Sequence, residues 1–122
     1  MNQNQVLVAE DEAMLRAIAV EMLEDAGFSV FQAGDGEEAL ALLKTHPDIE
    51  VLVSDIKMPR MDGYALAEAG LSLRPELKVL LMTGYAQEPP PTLLRAREIR
   101  TLHKPFNLER LCELVGEMTG PK

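Results

Sequence analysis

The chain reads Val51-Leu52-Val53-Ser54-Asp55 near its middle, an apolar run that ends in a carboxylate. A short run of this kind predicts a buried strand with Asp55 offered to solvent at its tip. The segments Met58-Pro59 and Met61-Asp62-Gly63 follow and are typical of a loop that leads into a helix. The stretch therefore predicts one strand, loop and helix unit of an α/β fold.

Three other apolar runs are followed by residues whose side chains can bind a ligand. Val6-Leu7-Val8-Ala9 precedes Glu10 and Asp11, Val79-Leu80-Leu81-Met82 precedes Thr83, and a later run precedes Lys104. In an open parallel sheet, the carboxyl ends of the strands gather along one edge, where ligands bind. The four runs therefore predict a crevice that holds three carboxylates, one hydroxyl and one ammonium.

Apolar residues spaced at i, i+3 and i+4 predict amphipathic helices between the strands. They fall at Leu15, Ile18, Ala19, Met22 and Leu23; at Ala39, Leu40 and Leu43; at Leu66, Ala69 and Leu73; and at Leu108, Leu111, Cys112 and Val115. Asp62 and Asn107 are suited to cap the last two helices, because their side chains accept hydrogen bonds from free backbone amides. With further strands at 28–32, 77–82 and 99–103, the pattern predicts a parallel sheet covered on both faces.

The connection between the fourth and fifth strands contains Pro89-Pro90-Pro91. Proline is tolerated at the first position of a helix but not through a full turn. The sequence predicts a mobile extended loop over residues 85–90 and a short helix from residue 91 or 92 to about residue 98.

Length and composition narrow the class of protein. A chain of 122 residues suits a single domain, and its net charge of −8 disfavours direct binding to nucleic acid. The N-terminus lacks the regions of a secretory signal, and no apolar run approaches the ~20 residues of a membrane span. These features predict a cytoplasmic protein without membrane insertion. The single cysteine, Cys112, excludes an internal disulfide and a cysteine-based zinc site, and is expected to act as a small buried apolar residue.

The acidic crevice is suited to a hard divalent cation. Three neighbouring carboxylates repel one another unless a cation offsets their charge. Mg²⁺ prefers oxygen ligands, keeps several waters, and is usually bound by one or two carboxylates together with a phosphate. Glu10, Asp11 and Asp55 are therefore predicted to bind Mg²⁺ beside an incoming phosphoryl group.

Asp55 is also a candidate nucleophile, because a carboxylate can attack phosphorus and form an acyl phosphate. The Lys104 ammonium and the Thr83 hydroxyl could stabilise the transferred oxygens. Each residue alone has an ordinary structural explanation, such as an Asp that forms a turn after a strand. Their order at the ends of successive strands favours the functional interpretation.

The chain resembles, along nearly its full length, the receiver domain of two-component signalling. The matching stretches are Val8-Ala9-Glu10-Asp11-Glu12, Ser54-Asp55-Ile56-Lys57-Met58-Pro59, Met61-Asp62-Gly63, Met82-Thr83-Gly84 and Lys104-Pro105-Phe106. The resemblance implies one receiver domain over residues 1–122, with a flavodoxin-like, doubly wound sheet of five parallel strands in the order 2-1-3-4-5.

The resemblance also implies roles for the site. Asp55 would accept a phosphoryl group from a histidine kinase or a histidine phosphotransfer protein. Mg²⁺ would be held by Glu10, Asp11, Asp55 and the backbone carbonyl of Lys57, with Thr83 as the switch hydroxyl and Lys104 as the cation that pairs with the phosphate. Such a module promotes its own phosphorylation and dephosphorylation, but is not an enzyme that turns over an external substrate.

The chain departs from many receivers in two places. The aromatic residue that many of them carry three positions before the lysine is replaced by Thr101, and the proline-rich loop alters the fourth helix. Together with Thr83-Gly84-Tyr85, these features resemble receivers attached to hybrid sensor kinases. The chain is thus expected to be a single-domain regulator or part of a longer protein, with signalling through residues 84–91.

Two other functions stay open at this point. An aspartyl-phosphate hydrolase would share the Asp nucleophile, but the common family of that kind has it on the first strand with a second Asp two residues later. Here Asp55 lies on the third predicted strand and Lys57 has that spacing. A phosphate-independent interaction domain would not need the full set of acids, Thr83 and Lys104.

Overall fold

The computed structural model describes residues 4–83, 98–103 and 107–119. Five strands and four helices lie in this part of the chain. The strands are β1 (Gln5–Ala9), β2 (Ser29–Ala33), β3 (Ile49–Asp55), β4 (Lys78–Thr83) and β5 (Glu98–His103). The helices are α1 (Ala13–Asp25), α2 (Gly36–Thr45), α3 (Gly63–Leu73) and α4 (Leu108–Thr119).

The strands form one parallel sheet in the order β2-β1-β3-β4-β5, which confirms the predicted topology. From β1 the chain first goes outward to β2 and then returns across β1 to β3. The strand order therefore reverses between β1 and β3, and in open parallel sheets ligands bind at the carboxyl ends of the strands at such a point. Glu10 and Asp55 lie at that point of the sheet.

Apolar side chains fill a layer on each face of the sheet. Alternate residues of a strand point to opposite faces, so Leu7 packs with the residues of α2 and α3, and Val8 packs with those of α1 and α4. Strands that are buried on both faces read as continuous apolar runs, which is why the sequence revealed them. The two layers confirm the prediction of helices on both faces.

The predicted helix caps are present. Asp62 Oδ1 accepts a hydrogen bond from the Ala65 amide at 2.8 Å, and Asn107 Oδ1 accepts one from the Glu109 amide at 2.7 Å. These bonds satisfy backbone amides that have no partner inside the helix. They also fix where α3 and α4 begin.

The predicted apolar stripe of α1 is wrong in its first half. Burial begins at Ala19, whereas Leu15 and Ile18 are 41% and 38% exposed and Met14 is 76% exposed. Because α1 starts at the carboxyl edge and runs back over the sheet, its first turns lie at the rim rather than over the core. We call Met14, Leu15 and Ile18 the α1 surface. On α3, Leu73 is likewise exposed, because the buried face contains Leu66, Ala67 and Leu71 instead.

The connection from β4 to β5 falls mostly outside the described residues. The predicted loop at 85–90 and the helix from residue 91 or 92 to residue 97 lie there. The predicted end of that helix at residue 98 is wrong, because Glu98 begins β5 and pairs with Lys78.

The remaining predictions concern Cys112 and the membrane. The Cys112 thiol is half-buried and donates a hydrogen bond to the Met22 carbonyl over 3.6 Å, and burial together with the Glu109 charge raises the pKa of the thiol. No helix in the described part of the chain is long and apolar enough to cross a membrane.

Candidate functional site

Glu10, Asp11 and Asp55 come together at the carboxyl edge of the sheet. One carboxylate oxygen from each residue lies within 4.8 Å of the other two. The pairing of Ala9 with Ser54 brings the ends of β1 and β3 side by side, which explains the proximity of the acids. Glu10 and Asp55 are 2% and 8% exposed, whereas Asp11 faces solvent. The prediction that Asp55 is offered to solvent is therefore wrong, because the residue still belongs to β3 and is covered there.

Glu10 is held by hydrogen bonds to different parts of the fold. Its amide donates to the Ala33 carbonyl at the end of β2, at 3.0 Å. Its Oε2 accepts from the Glu12 amide at 3.0 Å, and its carbonyl accepts from Arg16 Nη1 at 2.8 Å. The backbone and the carboxylate of this buried acid are therefore both oriented before any cation binds.

The loop after Asp55 is anchored to its neighbours. Asp55 Oδ1 accepts a hydrogen bond from the Lys57 amide at 3.3 Å. The Ile56 amide donates to the Met82 carbonyl at 3.1 Å, and the Ile56 carbonyl accepts from the Gly63 amide at 2.8 Å. These contacts tie the loop to β4 on one side and to the start of α3 on the other.

The same loop is also held from the side of α2. Arg60 Nη1 donates to Asp35 Oδ2 at 2.9 Å, and the second oxygen of Asp35 caps α2 by accepting from the Glu38 amide. A Cβ on Gly36 would lie only 2.6 Å from the Met61 carbonyl oxygen. Arg60 has a φ of 70°, in the left-handed region that few residues other than glycine adopt, so the turn has a specific shape.

Thr83 lies at the end of the strand next to the one that carries Asp55. It ends β4, it is 3% exposed, and it directly follows Met82, the residue paired with Asp55. The Lys57 side chain is exposed. Lys104, Pro105 and the 84–91 loop lie outside the described residues, so the predictions about them stay predictions.

The donor set fits a small hard cation. Bonds from Mg²⁺ to oxygen of about 2.1 Å place two ligands of one octahedral ion about 3.0 Å apart when adjacent and about 4.2 Å apart when opposite. Separations of up to 4.8 Å thus allow direct binding of some carboxylates and binding of others through a retained water. All three donors are carboxylate oxygens, the ligand type that such ions prefer.

Two contacts at the site were not predicted from the sequence. The bond from Arg16 to the Glu10 carbonyl depends on how α1 turns back over the sheet, and the pair of Asp35 with Arg60 joins residues 25 positions apart. Neither pair lies in a recognisable motif. Only the strand order, which brings β2 beside β1, could have indicated that residues after β2 border the site.

Comparisons with known proteins agree with this arrangement. Residues 6–116 match the family described as the response regulator receiver domain. The chain belongs to this family, the receiver domains of two-component systems. The resemblance noted from the sequence is thereby confirmed.

Several relatives are similar over nearly the whole chain. The response regulator receiver protein CpdR of Brucella abortus is 35% identical over 114 residues, which cover 93% of this chain and 94% of CpdR. The sensor kinase CckA of the same organism is also 35% identical, over 93% of this chain but only 12% of the kinase. The chain thus matches both a relative of its own length and a small part of a much longer one.

Solved structures give the same result. The receiver domain of the hybrid histidine kinase CckA superposes with a TM-score of 0.80 at 29% identity, over 95% of this chain and 99% of that domain. The chemotaxis response regulator CheY4 of Vibrio cholerae superposes with a TM-score of 0.84 at 29% identity, over 96% and 99% of the two chains.

Proposed function

We propose that Asp55 is the phosphoacceptor of a two-component phosphorelay and that its phosphorylation requires Mg²⁺. Glu10, Asp11, Asp55 and the backbone carbonyl of Lys57 would hold the ion. The observation that carries this proposal is the group of three carboxylates within 4.8 Å, with Asp55 at the tip of a buried strand. An aspartate in that place would lie beside the cation, at the edge of the sheet where a phosphorylated partner would approach.

In the proposed reaction, one carboxylate oxygen of Asp55 bonds to phosphorus while the bond from phosphorus to the donor's histidine nitrogen breaks. The electron pair stays on the imidazole nitrogen, which takes up a proton, and the product is an acyl phosphate. Bound Mg²⁺ supplies positive charge to the phosphoryl oxygens. The protein's own contribution is to hold Asp55 in place through the anchored loop that follows it.

Thr83 and Lys104 would respond to the phosphorylation of Asp55 by binding the phosphoryl oxygens. The Thr83 hydroxyl is within the buried end of β4, next to the strand that carries Asp55, where it could donate to a phosphoryl oxygen. Lys104 would pair with a second oxygen as a point charge. Movement of these two residues toward the phosphate would change the surface that a target protein contacts.

The phosphodonor would be a histidine kinase or a histidine phosphotransfer protein in the cytoplasm. The α1 surface supports a protein donor, because three large apolar side chains are exposed within two turns of the acid pair. The receiver domain would occupy residues 1–122, as an independent regulator or as part of a hybrid kinase. It would act through protein contacts rather than by direct binding to nucleic acid or by turnover of an external substrate.

The proposal is tested by incubating the protein with Mg²⁺ and acetyl phosphate and following its intact mass. The expected result is one phosphoryl group per molecule in the parent and none in Asp55→Asn. Continuous release of inorganic phosphate without a stable adduct would indicate a hydrolase. Absence of any adduct, with or without Mg²⁺, would indicate a phosphate-independent interaction domain.

A further inference from the structure

We propose that Arg16 is a positioning residue for the cation site, acting through the peptide group that joins Glu10 to Asp11. Its Nη1 donates to the Glu10 carbonyl oxygen at 2.8 Å. That oxygen belongs to the same planar peptide unit as the Asp11 amide. One guanidinium contact therefore sets the orientation of both acids relative to Asp55.

The geometry around Asp11 makes this contact important. The Asp11 side chain is exposed and, among the described residues, has no hydrogen-bond partner that would place its carboxylate. Its position thus depends on its backbone. In the described part of the chain, Arg16 is the side chain that donates a hydrogen bond to the carbonyl of the Glu10–Asp11 peptide.

Arg16 is itself held in place. Its Nε donates to Gln32 Oε1 at 3.2 Å, which links it to β2. A Cβ on Gly34 would lie 3.2 Å from Nη1, so the glycine leaves the room that the guanidinium occupies. Both of these hydrogen bonds of Arg16 go to uncharged oxygens rather than to the carboxylates that would bind the cation.

The two effects of Arg16 on a cation have opposite signs, which makes the inference testable. Its positive charge repels Mg²⁺, so loss of the charge alone would tighten binding. Its hydrogen bond positions the acids, and loss of an outer-shell contact of this kind typically weakens metal binding about 10- to 100-fold. We infer that the positional effect is the larger one.

The experiment is a magnesium chloride titration followed by amide chemical shifts. Arg16→Met keeps the aliphatic length but removes charge and donors, and Arg110→Met removes the same charge from α4, where Arg110 pairs with Glu113. We expect Arg16→Met to weaken Mg²⁺ binding about tenfold and Arg110→Met to leave it unchanged or slightly tighter. Arg16→Lys keeps the charge and one donor, and should give an intermediate affinity.

An Arg16→Met protein that binds Mg²⁺ as tightly as the parent, or more tightly, would overturn the inference. If Arg16→Met does not fold, an Arg16→Lys protein with parental affinity would overturn it equally. The inference rests on the proposed cation site, and the two can fail separately. A parent without saturable Mg²⁺ binding refutes both, whereas parental binding in the Arg16 variants refutes only the role of Arg16.

Discussion

The start of α3 packs directly against the end of β3, since a Cβ on Gly63 would lie 2.5 Å from the backbone oxygen of Asp55 and 2.8 Å from the Cα of Ile56. The obstacle is backbone rather than a flexible side chain, so it cannot move aside without displacing the loop. The amide of Gly63 also donates to the Ile56 carbonyl at 2.8 Å. Gly63 is therefore needed for the close approach that fixes the loop after Asp55.

Gly63→Ala should destabilise the protein by about 1–3 kcal/mol, because the added methyl group forces the loop or the helix apart. Urea unfolding measures the change. Gly116→Ala is the matched control, since a Cβ at Gly116 meets nothing within 4 Å and alanine favours a helix by up to about 1 kcal/mol. Equal stability of Gly63→Ala and the parent would show that the packing is looser than described.

The α1 surface should contribute to phosphotransfer from a protein donor but not from a small one. Met14→Gln together with Leu15→Gln replaces exposed apolar area beside the acids without changing the charge. Transfer from an autophosphorylated histidine kinase should slow by roughly tenfold or more, as expected for apolar interface residues. Labelling by acetyl phosphate should stay at the parental rate.

Leu73→Gln is the control for this surface, because Leu73 is also exposed but lies at the far end of α3. Equal transfer rates in the double variant and in Leu73→Gln would mean that the donor docks elsewhere. A parallel loss of acetyl phosphate labelling would mean that the substitutions damage the site itself.

Asp11→Ala should separate cation binding from folding. Its carboxylate is exposed and near two others, so its loss should weaken Mg²⁺ binding at least tenfold and relieve repulsion when no cation is present. Thermal unfolding with and without Mg²⁺ measures both effects, because a ligand that binds only the folded state raises the melting temperature. The rise with Mg²⁺ should be lost in the variant.

Asp48→Ala is the matched control, since it removes an equal charge just before β3, at the opposite edge of the sheet. It should keep the full stabilisation by Mg²⁺. Retention of that stabilisation in Asp11→Ala would exclude Asp11 as a ligand.

Lys104→Ala should impair the response to phosphorylation rather than Mg²⁺ binding. The variant removes an ammonium that would pair with the phosphoryl group, whereas the carboxylates that attract the cation are retained. Amide chemical shifts before and after addition of acetyl phosphate measure the response. A variant that is phosphorylated and shifts like the parent would refute the role given to Lys104.

The sequence predicted the sheet well because burial on both faces leaves a strong signal. The runs that end at Ala9, Asp55 and Met82 became the central strands with changes of one or two residues at their ends. The cluster of Glu10, Asp11 and Asp55 could then be predicted as well, because the carboxyl ends of parallel strands lie at the same edge of the sheet. A cap such as Asp62 was also predictable, because it depends only on residues within the next turn.

Features that depend on how the helices pack against the sheet could not be predicted from the sequence in this way. Helical periodicity suggested that Leu15 and Ile18 are buried, but it does not reveal where a helix stops covering the sheet. The contact of Arg16 with the Glu10 carbonyl and the near contact of Gly63 with Asp55 require the packing itself. Both contacts hold the site in position, and neither determines which side chains form it.

Phosphorylation at Asp55 underlies every role proposed for this site. The most direct measurement is to phosphorylate the parent with acetyl phosphate and Mg²⁺, reduce the acyl phosphate with borohydride to homoserine, and locate the homoserine by peptide mass mapping. Homoserine should be found at position 55 alone, and only in the sample that contained Mg²⁺. Homoserine at another aspartate, or the same yield at position 55 without Mg²⁺, would contradict the account.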